Sequence, residues 1–154
     1  MLSIKKYLLV LIILVSCNTI DVFEKNLPVP GHQWESNFQP SIEFEVTDTS
    51  SFYNVYVVLR HTNEYRYNNV WIKASVKEPG SQELKSRQYD LLLANNNKGW
   101  LGTGMDDIFE HRILIQPQTK FNKQGKYQFT IQQIMREDPL AHVMNVGLRI
   151  EKVH

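Results

Sequence analysis

The sequence predicts an all-β protein: an antiparallel β-sandwich, Ig-like or jelly-roll-like, of about seven to eight strands that follow a cleaved lipoprotein signal peptide. Three observations lead to this prediction. Apolar and polar residues alternate strictly in several segments, turn-forming residues separate those segments, and one long apolar run is confined to the N-terminus. Because a period of two gives each strand one apolar face, two such sheets packed face to face would bury those faces in one core.

The N-terminus has the composition of a secretory signal peptide. Lys5 and Lys6 precede an uninterrupted apolar run at residues 7–15. A helix of that length is ~14 Å long, at about 1.5 Å per residue. It is too short for a hydrocarbon core of ~30 Å. We therefore assign residues 1–16 to a cleaved signal peptide.

The residues Leu14-Val15-Ser16-Cys17 resemble the lipobox of bacterial lipoproteins, in which the cysteine sulfur receives a diacylglyceryl group. Cys17 is the only cysteine of the chain, so no disulfide competes for it. Two or more acyl chains hold a protein stably at a membrane, whereas a single chain holds it only marginally. We expect lipidation at Cys17; the alternative is an exported protein with a chance cysteine.

The rest of the chain divides into two parts. Residues 17–40 show no sustained period and are interpreted as a lipidated tether and a proline-containing N-terminal arm. Phe23, Leu27 and Trp34 suggest that the arm is docked on the domain. Residues 41–154 are assigned to the β-sandwich domain.

Five segments of the domain alternate cleanly, and two alternate more weakly. Turn-forming residues rich in Asp, Asn, Ser, Pro and Gly lie between them. One helical turn is expected between residues 133 and 143, where Pro139 limits its length. The clean strands are predicted at residues 41–47, 53–60, 70–77, 127–132 and 146–151, and the weaker ones at 89–93 and 112–115.

The balanced charge of the chain disfavours nucleic acid as a partner, and its length suggests a single domain. The chain carries 17 basic and 16 acidic residues, and its net charge of +1 falls to −1 when Lys5 and Lys6 leave with the signal peptide. The basic residues are scattered, whereas a nucleic-acid-binding domain presents them as a patch. The 138 residues that remain of 154 are enough for one domain with a core and no disulfides.

No constellation of catalytic or metal-binding residues stands out. The five histidines show no HxH or HxxxH spacing, and no GxSxG elbow is present. Asp106-Asp107 with Glu110 lacks the loop pattern of an EF-hand and is interpreted as a solvated turn. Neighbouring Glu137 and Asp138 normally point apart, which disfavours an acid–base pair. We expect no enzyme activity, no cofactor, no metal and no small-molecule substrate; a hydrolase is the weakest hypothesis.

Aromatic side chains leave one question about binding open. Tyr65, Tyr67 and Trp71 lie on or near one strand, and Trp71 falls on its polar side, while Trp100 lies in a tight connection. Exposed aromatic rings stack on sugars or anchor protein partners, so these four residues are candidates for a binding site. The alternative is that they close the end of the core.

A series of short motifs runs in order from the signal peptide to Lys152. No single motif is diagnostic, but their order and spacing together resemble the gliding-motility lipoprotein family GldH over nearly the whole chain. The motifs are the lipobox ending at Cys17, VPGHQW at 29–34, FEVTDT at 44–49, YNVYVVLRH at 53–61, YRYNNV at 65–70, GWLG at 99–102, QIMREDPL at 133–140 and VGLRIE at 146–151.

The resemblance implies a non-catalytic, membrane-anchored lipoprotein that supports gliding motility and the associated protein secretion. It implies protein partners in that machinery, and only lipidation at Cys17 carries over residue by residue. We expect the cell envelope, at the outer membrane facing the periplasm, because Asn18 follows the cysteine instead of an aspartate. The alternative is an envelope glycan- or peptidoglycan-binding sandwich that uses the Tyr67 and Trp71 side.

Overall fold

The computed structural model describes residues 21–154, so the signal peptide and Cys17 lie outside the described residues. Thirteen strands and one 3-10 helix (Pro30–His32) form this part of the chain, and no helical turn occurs between residues 133 and 143. The strands are β1 (Val22–Pro28), β2 (Gln33–Trp34), β3 (Ser41–Val46), β4 (Tyr53–Thr62), β5 (Asn69–Lys77), β6 (Leu84–Leu92), β7 (Ala94–Asn95), β8 (Gly99–Trp100), β9 (Thr103–Met105), β10 (Ile108–Thr119), β11 (Gly125–Gln133), β12 (Leu140–Ala141) and β13 (Val143–Lys152).

Two antiparallel sheets form the layers of a sandwich. One has five strands in the order β1-β13-β4-β10-β9, and the other has four in the order β3-β11-β5-β6. The pairs β1/β13, β3/β11, β4/β10 and β5/β6 are nested along the chain, so the eight longest strands form one long antiparallel ribbon folded over on itself. This is the jelly-roll arrangement of two Greek keys. The predicted sandwich is confirmed, and its jelly-roll form is the one observed.

The prediction of seven to eight strands was too low. The two sheets contain nine strands, and β2/β12 and β7/β8 add two ribbons of two-residue strands. Such short strands carry too few residues to show a period, so pattern analysis does not find them.

The core lies between the two sheets and is filled mainly by alternate residues of the long strands, with the edge strands β1 and β6 contributing fewer. In β3 the buried Ile42, Phe44 and Val46 alternate with exposed residues, as expected of a strand with one face on a core. The largest fully buried side chain is Trp34, whose indole N–H donates to the Phe38 carbonyl at 2.9 Å. One contiguous apolar cluster therefore joins both sheets and the residues after β1.

The N-terminal arm is more regular than the sequence suggests. Val22–Pro28 pairs with β13 over seven positions, so the sheet begins before Ser41. Phe23 and Leu27 pack against the core, while exposed Lys25 lies between them on the same side. Because an outward Val22 and an inward Lys25 break the alternation, the period of two is hidden. Pro28 is tolerated because it ends an edge strand.

Candidate functional site

The four aromatic candidates lie in different environments. Tyr65 is buried, and its hydroxyl donates to the Asn69 carbonyl at 2.9 Å. Half-buried Tyr67 meets the Tyr65 ring edge-on at 72°. Trp71 is 43% exposed on the outer face of the four-stranded sheet, and Trp100 is half-buried. The rings therefore do not form one coplanar exposed platform.

Tyr67 and Trp100 each use their polar atom within the protein. The Tyr67 hydroxyl donates to a Glu137 carboxylate oxygen at 2.6 Å, and this hydrogen bond is the main reason that the pKa of Tyr67 is raised. The Trp100 indole N–H donates to the Asn63 amide oxygen at 2.9 Å. Both side chains thus tie a loop to the end of the sandwich.

Beneath Trp100 lies a pair of buried histidines that the sequence analysis did not identify. His61 on β4 and His111 on β10 are buried, and their Nε2 atoms are 2.9 Å apart. The Trp100 ring packs on His61 at a centroid distance of 4.4 Å, and Phe109 stacks on it at 5.9 Å. Fifty residues separate the histidines in sequence, so only the β4/β10 register brings them together.

Hydrogen bonding fixes the tautomers of this pair. His61 Nδ1 lies 2.8 Å from the Thr62 carbonyl, which can only accept, so this nitrogen carries the hydrogen. In a neutral ring, His61 Nε2 is then an acceptor, and His111 Nε2 donates to it. A proton added to His61 Nε2 would therefore face the N–H of His111 Nε2. Burial first, and the neighbouring His61 second, accordingly lower the pKa of His111 to about 4.

The described residues offer no complete metal site. Within residues 21–154 no group of three or more His, Cys, Asp or Glu side chains is placed to hold a metal ion, so the histidine pair has no third ligand. Over the same range, no helix is long and apolar enough to cross a membrane.

A charged network covers the outer face of the five-stranded sheet. Glu24 accepts two hydrogen bonds from Arg112 at 2.9 and 3.1 Å, and one from Arg149 at 2.8 Å. Burial raises the pKa of Glu24, but the hydrogen bonds from both guanidinium groups outweigh it and bring the pKa to about 2.

The same outer face is closely packed: Val58, on β4, is only 1% exposed. A Cβ at Gly147 would lie 1.8 Å from the Asn26 amide oxygen, which explains the glycine there.

Two sequence motifs that are far apart along the chain meet at one end of the sandwich. Trp34 pairs with Leu140 across β2 and β12. The side-chain amide of buried Gln133 donates to the Trp34 carbonyl at 3.2 Å, and Asp138 accepts from the Ser36 backbone N–H at 2.9 Å. The motifs at 29–34 and 133–140 therefore hold the segment after β1 in place.

A cleft opens between the edge strands β1 and β3, away from the β2/β12 pair. Its volume is about 420 Å³. Charged Glu43, Glu45 and Lys126 stand at its rim. Its apolar lining comes from both sheets and consists of Phe23, Phe44, Val46, Tyr53 and Ile150.

Comparison with known proteins gives consistent matches over most of the chain. The model of the GldH lipoprotein family matches residues 21–150. A gliding motility lipoprotein GldH homolog of Christiangramia forsetii is 28% identical, covering 97% of this chain and 95% of that protein. Gliding motility lipoprotein GldH of Flavobacterium johnsoniae is 31% identical, covering 94% of this chain and 93% of that protein.

Two solved structures are distantly similar to this chain. The VP2 subviral particle of infectious bursal disease virus aligns with 86% of this chain and 32% of its own at 12% identity and a TM-score of 0.42. A carbohydrate-binding module specific for non-crystalline cellulose, CBM28, aligns with 85% of this chain and 72% of its own at 11% identity and a TM-score of 0.41. Neither score establishes a shared fold or function. The family match over residues 21–150 and the two relatives show that this chain belongs to the GldH lipoprotein family.

Proposed function

We propose that this protein is a non-catalytic lipoprotein, anchored through Cys17, that supports the gliding motility machinery of the bacterial envelope and its associated protein secretion. The observation that carries the proposal is the family match over residues 21–150, together with full-length relatives named gliding motility lipoproteins. The lipobox that ends at Cys17 lies on the same polypeptide, just before the matched residues, and would supply the anchor.

A structural rather than catalytic role agrees with the placement of the buried titratable groups. His61 and His111 are buried and their Nε2 atoms face each other, and the Tyr65 hydroxyl donates to a backbone carbonyl. The polar atoms that define this end of the sandwich are therefore used to hold loops and strands together.

The anchor would keep the sandwich close to the membrane. Strand β1 begins at Val22, and the Lys152 backbone N–H donates to the Asp21 carbonyl at 2.8 Å, so Asp21 is already held beside the end of β13. Four residue steps separate Cys17 from Asp21, a reach of at most ~14 Å for an extended chain. The β1 end of the sandwich, including the cleft beside Phe23, would thus lie next to the lipid surface. We place it at the outer membrane, facing the periplasm.

Cys17→Ser tests the anchor. The variant should lose palmitate incorporation and leave the membrane fraction, because no acyl chain can be attached to the serine. Ser16→Ala, which keeps a small residue before the cysteine, is the matched control and should stay lipidated. Palmitate on the Cys17→Ser chain would contradict the assignment. Sucrose-gradient separation of the two membranes, followed by protease access in intact cells, tests the outer membrane and the periplasmic orientation.

Deletion of the gene tests the role in motility and secretion. A deletion strain should lose colony spreading and surface-adhesin secretion, and the wild-type chain should restore both. The Cys17→Ser chain should fail to restore them at equal abundance. A deletion strain that spreads and secretes like its parent would overturn the proposed role.

A further inference from the structure

Edge strands of a sheet carry unpaired backbone groups, and proteins usually protect them against the addition of foreign strands. Strand β1 carries Lys25 on its core-facing side, between Phe23 and Leu27. Strand β6 places Lys85 and Arg87 at its core-facing positions, opposite Val76 and Ala74 of β5. An inward-pointing charge is one of the devices that discourage strand addition.

The remaining edge of the five-stranded sheet is protected differently. Strand β9 has only three residues, and β10 extends beyond it with two register shifts, after Leu114 and after Gln116. Pro117 lies within this irregular part and has no N–H to offer. Short strands, bulges and prolines all weaken an edge as a template.

Strand β3 has none of these protections. It pairs with β11 over six positions without a register shift, and it contains neither proline nor glycine. Its core-facing residues are apolar, and its charged residues, Glu43 and Glu45, point outward and are exposed. A regular edge strand that lacks these protections can accept another strand.

The backbone groups on the open side of β3 can be identified from the ladder. The Ile131 N–H donates to the Pro40 carbonyl at 3.0 Å, and bonded and non-bonded pairs alternate along an antiparallel ladder. Even-numbered residues of β3 therefore bond to β11, and Ser41, Glu43 and Glu45 direct their N–H and C=O groups outward. No strand of the described chain pairs with this side.

The cleft of about 420 Å³ runs beside this edge. Successive side chains of a strand point to opposite faces, so a strand added to β3 would direct every second side chain into the cleft. Those side chains would contact Phe44 and Val46 of β3, and Phe23 and Ile150 of the other sheet. The cleft thus provides apolar burial for alternate residues of the added strand.

The outward face of β3 selects the remaining residues by charge. Neither Glu43 nor Glu45 forms an ion pair within residues 21–154, and Lys126, opposite Glu45, is the nearest cross-strand cation. A second copy paired through its own β3 would set glutamates against glutamates, which destabilises a sheet. Basic side chains of an added strand that face Glu43 and Glu45 would instead be attracted to them.

We propose that β3 accepts an extended segment of a partner protein as an added strand, in which apolar residues that fill the cleft alternate with lysine or arginine that face Glu43 and Glu45. The inference rests on the proposed role in a protein assembly, and it names the contact surface and the chemistry of the segment. The partner strand would lie near the lipid, since β1 forms the other wall of the cleft.

The test uses the full lipidated chain in a neutral detergent and a labelled nine-residue peptide of alternating valine and lysine. Fluorescence anisotropy should show saturable binding, at least about tenfold tighter than that of the same peptide with glutamate in place of lysine. A peptide that is N-methylated at alternate residues cannot pair with an edge and should not bind. Equal binding of all three peptides, or binding of none, would overturn the proposal.

Glu43→Pro removes one outward N–H of β3 without touching the bonds to β11, because proline is tolerated on the open side of an edge strand. It should weaken peptide binding about tenfold or more with the melting temperature little changed. The pair Glu43→Lys and Glu45→Lys should reverse the preference in favour of the glutamate peptide, and this decides the matter if the proline variant does not fold. Glu83→Lys, which makes one such charge reversal at an exposed position away from β3, should bind like the wild type.

The proposed role in motility and the proposed docking surface on β3 can be refuted independently of each other. A deletion strain without a motility or secretion defect overturns the proposed role and leaves peptide binding intact. Failure of the peptide to bind, or undiminished binding to Glu43→Pro, overturns the docking surface and leaves the role and the Cys17 anchor untouched.

Discussion

Replacing His111 with glutamine should make the stability of the sandwich less sensitive to pH between 7.5 and 5. His111 is buried and donates from Nε2 to His61 across 2.9 Å, and its burial disfavours the charged form of the ring. Glutamine keeps a donor of similar reach but cannot titrate. The variant is expected to be less stable than the wild type at pH 7.5, yet to lose less stability on acidification.

The size of the effect follows from the pKa of His111. Burial, and then the neighbouring His61, lower it from 6.5 to about 4. Because the unfolded chain takes up the proton first, the stabilisation is complete above pH 6.5 and is lost as pH falls from 6.5 towards 4. One pKa unit corresponds to about 1.4 kcal/mol, so the full loss is about 3 kcal/mol. About 2 kcal/mol of it falls between pH 7.5 and 5, a range that lies above the titration of the carboxylates.

Urea unfolding followed by tryptophan fluorescence at pH 7.5, 6.5 and 5.0 measures this loss. The Cys17→Ser chain without the signal peptide provides a lipid-free background. His32→Gln, the same replacement at an exposed histidine outside the buried pair, is the matched control, and its loss of stability should be closer to that of the wild type than to that of His111→Gln. If the wild type and His111→Gln lose the same free energy within about 0.5 kcal/mol, the buried pair does not exclude the proton and the reasoning is wrong.

Two further perturbations test the core and the charged face. Trp34→Ala should lower the free energy of unfolding by about 3–5 kcal/mol because Trp34 is fully buried, whereas Trp71→Ala, at a residue 43% exposed, should change it by about 0.5 kcal/mol or less. Similar urea midpoints for the two variants would contradict this difference. Glu24→Gln should cost about 1.5–3 kcal/mol at pH 7, since it weakens the charged hydrogen bonds to Arg112 and Arg149. Because the pKa of Glu24 is lowered from 4.5 to about 2, the stabilisation is full above pH 4.5 and is lost towards pH 2. The acid limb of the variant's stability profile should therefore be flatter, and an unchanged limb would exclude the role of Glu24.

Alternation along the chain was enough to predict the strands with one face on the core. Ile42, Phe44 and Val46 of β3 are buried, as their pattern requires. Strand β1 was missed because Lys25 occupies a core-facing edge position, where its charged end reaches water. The irregular end of β10, residues 116–119, was missed for a related reason, since the register shifts there interrupt the period.

The buried histidines show why sequence spacing could not find the polar centre of the core. His61 and His111 are fifty residues apart and belong to no ligand motif. Each falls on the core-facing side of its strand, which is the only local signal that either one carries. Their contact depends on the pairing of β4 with β10, and that pairing is a long-range property.

The sequence by itself determined the all-β class, the inward and outward faces of the clean strands, the expected lipidation at Cys17 and the family resemblance. These features are local, because periodicity, turn residues and a lipobox are each contained within a few neighbouring residues. Only the tertiary structure decided the jelly-roll order, the protection of three edges and the openness of β3. It also brought Phe23 beside Phe44 to form the cleft. Strand order arises from pairs such as Val22 with Glu151, which are neighbours in the sheet but far apart in the sequence, so no local pattern encodes them.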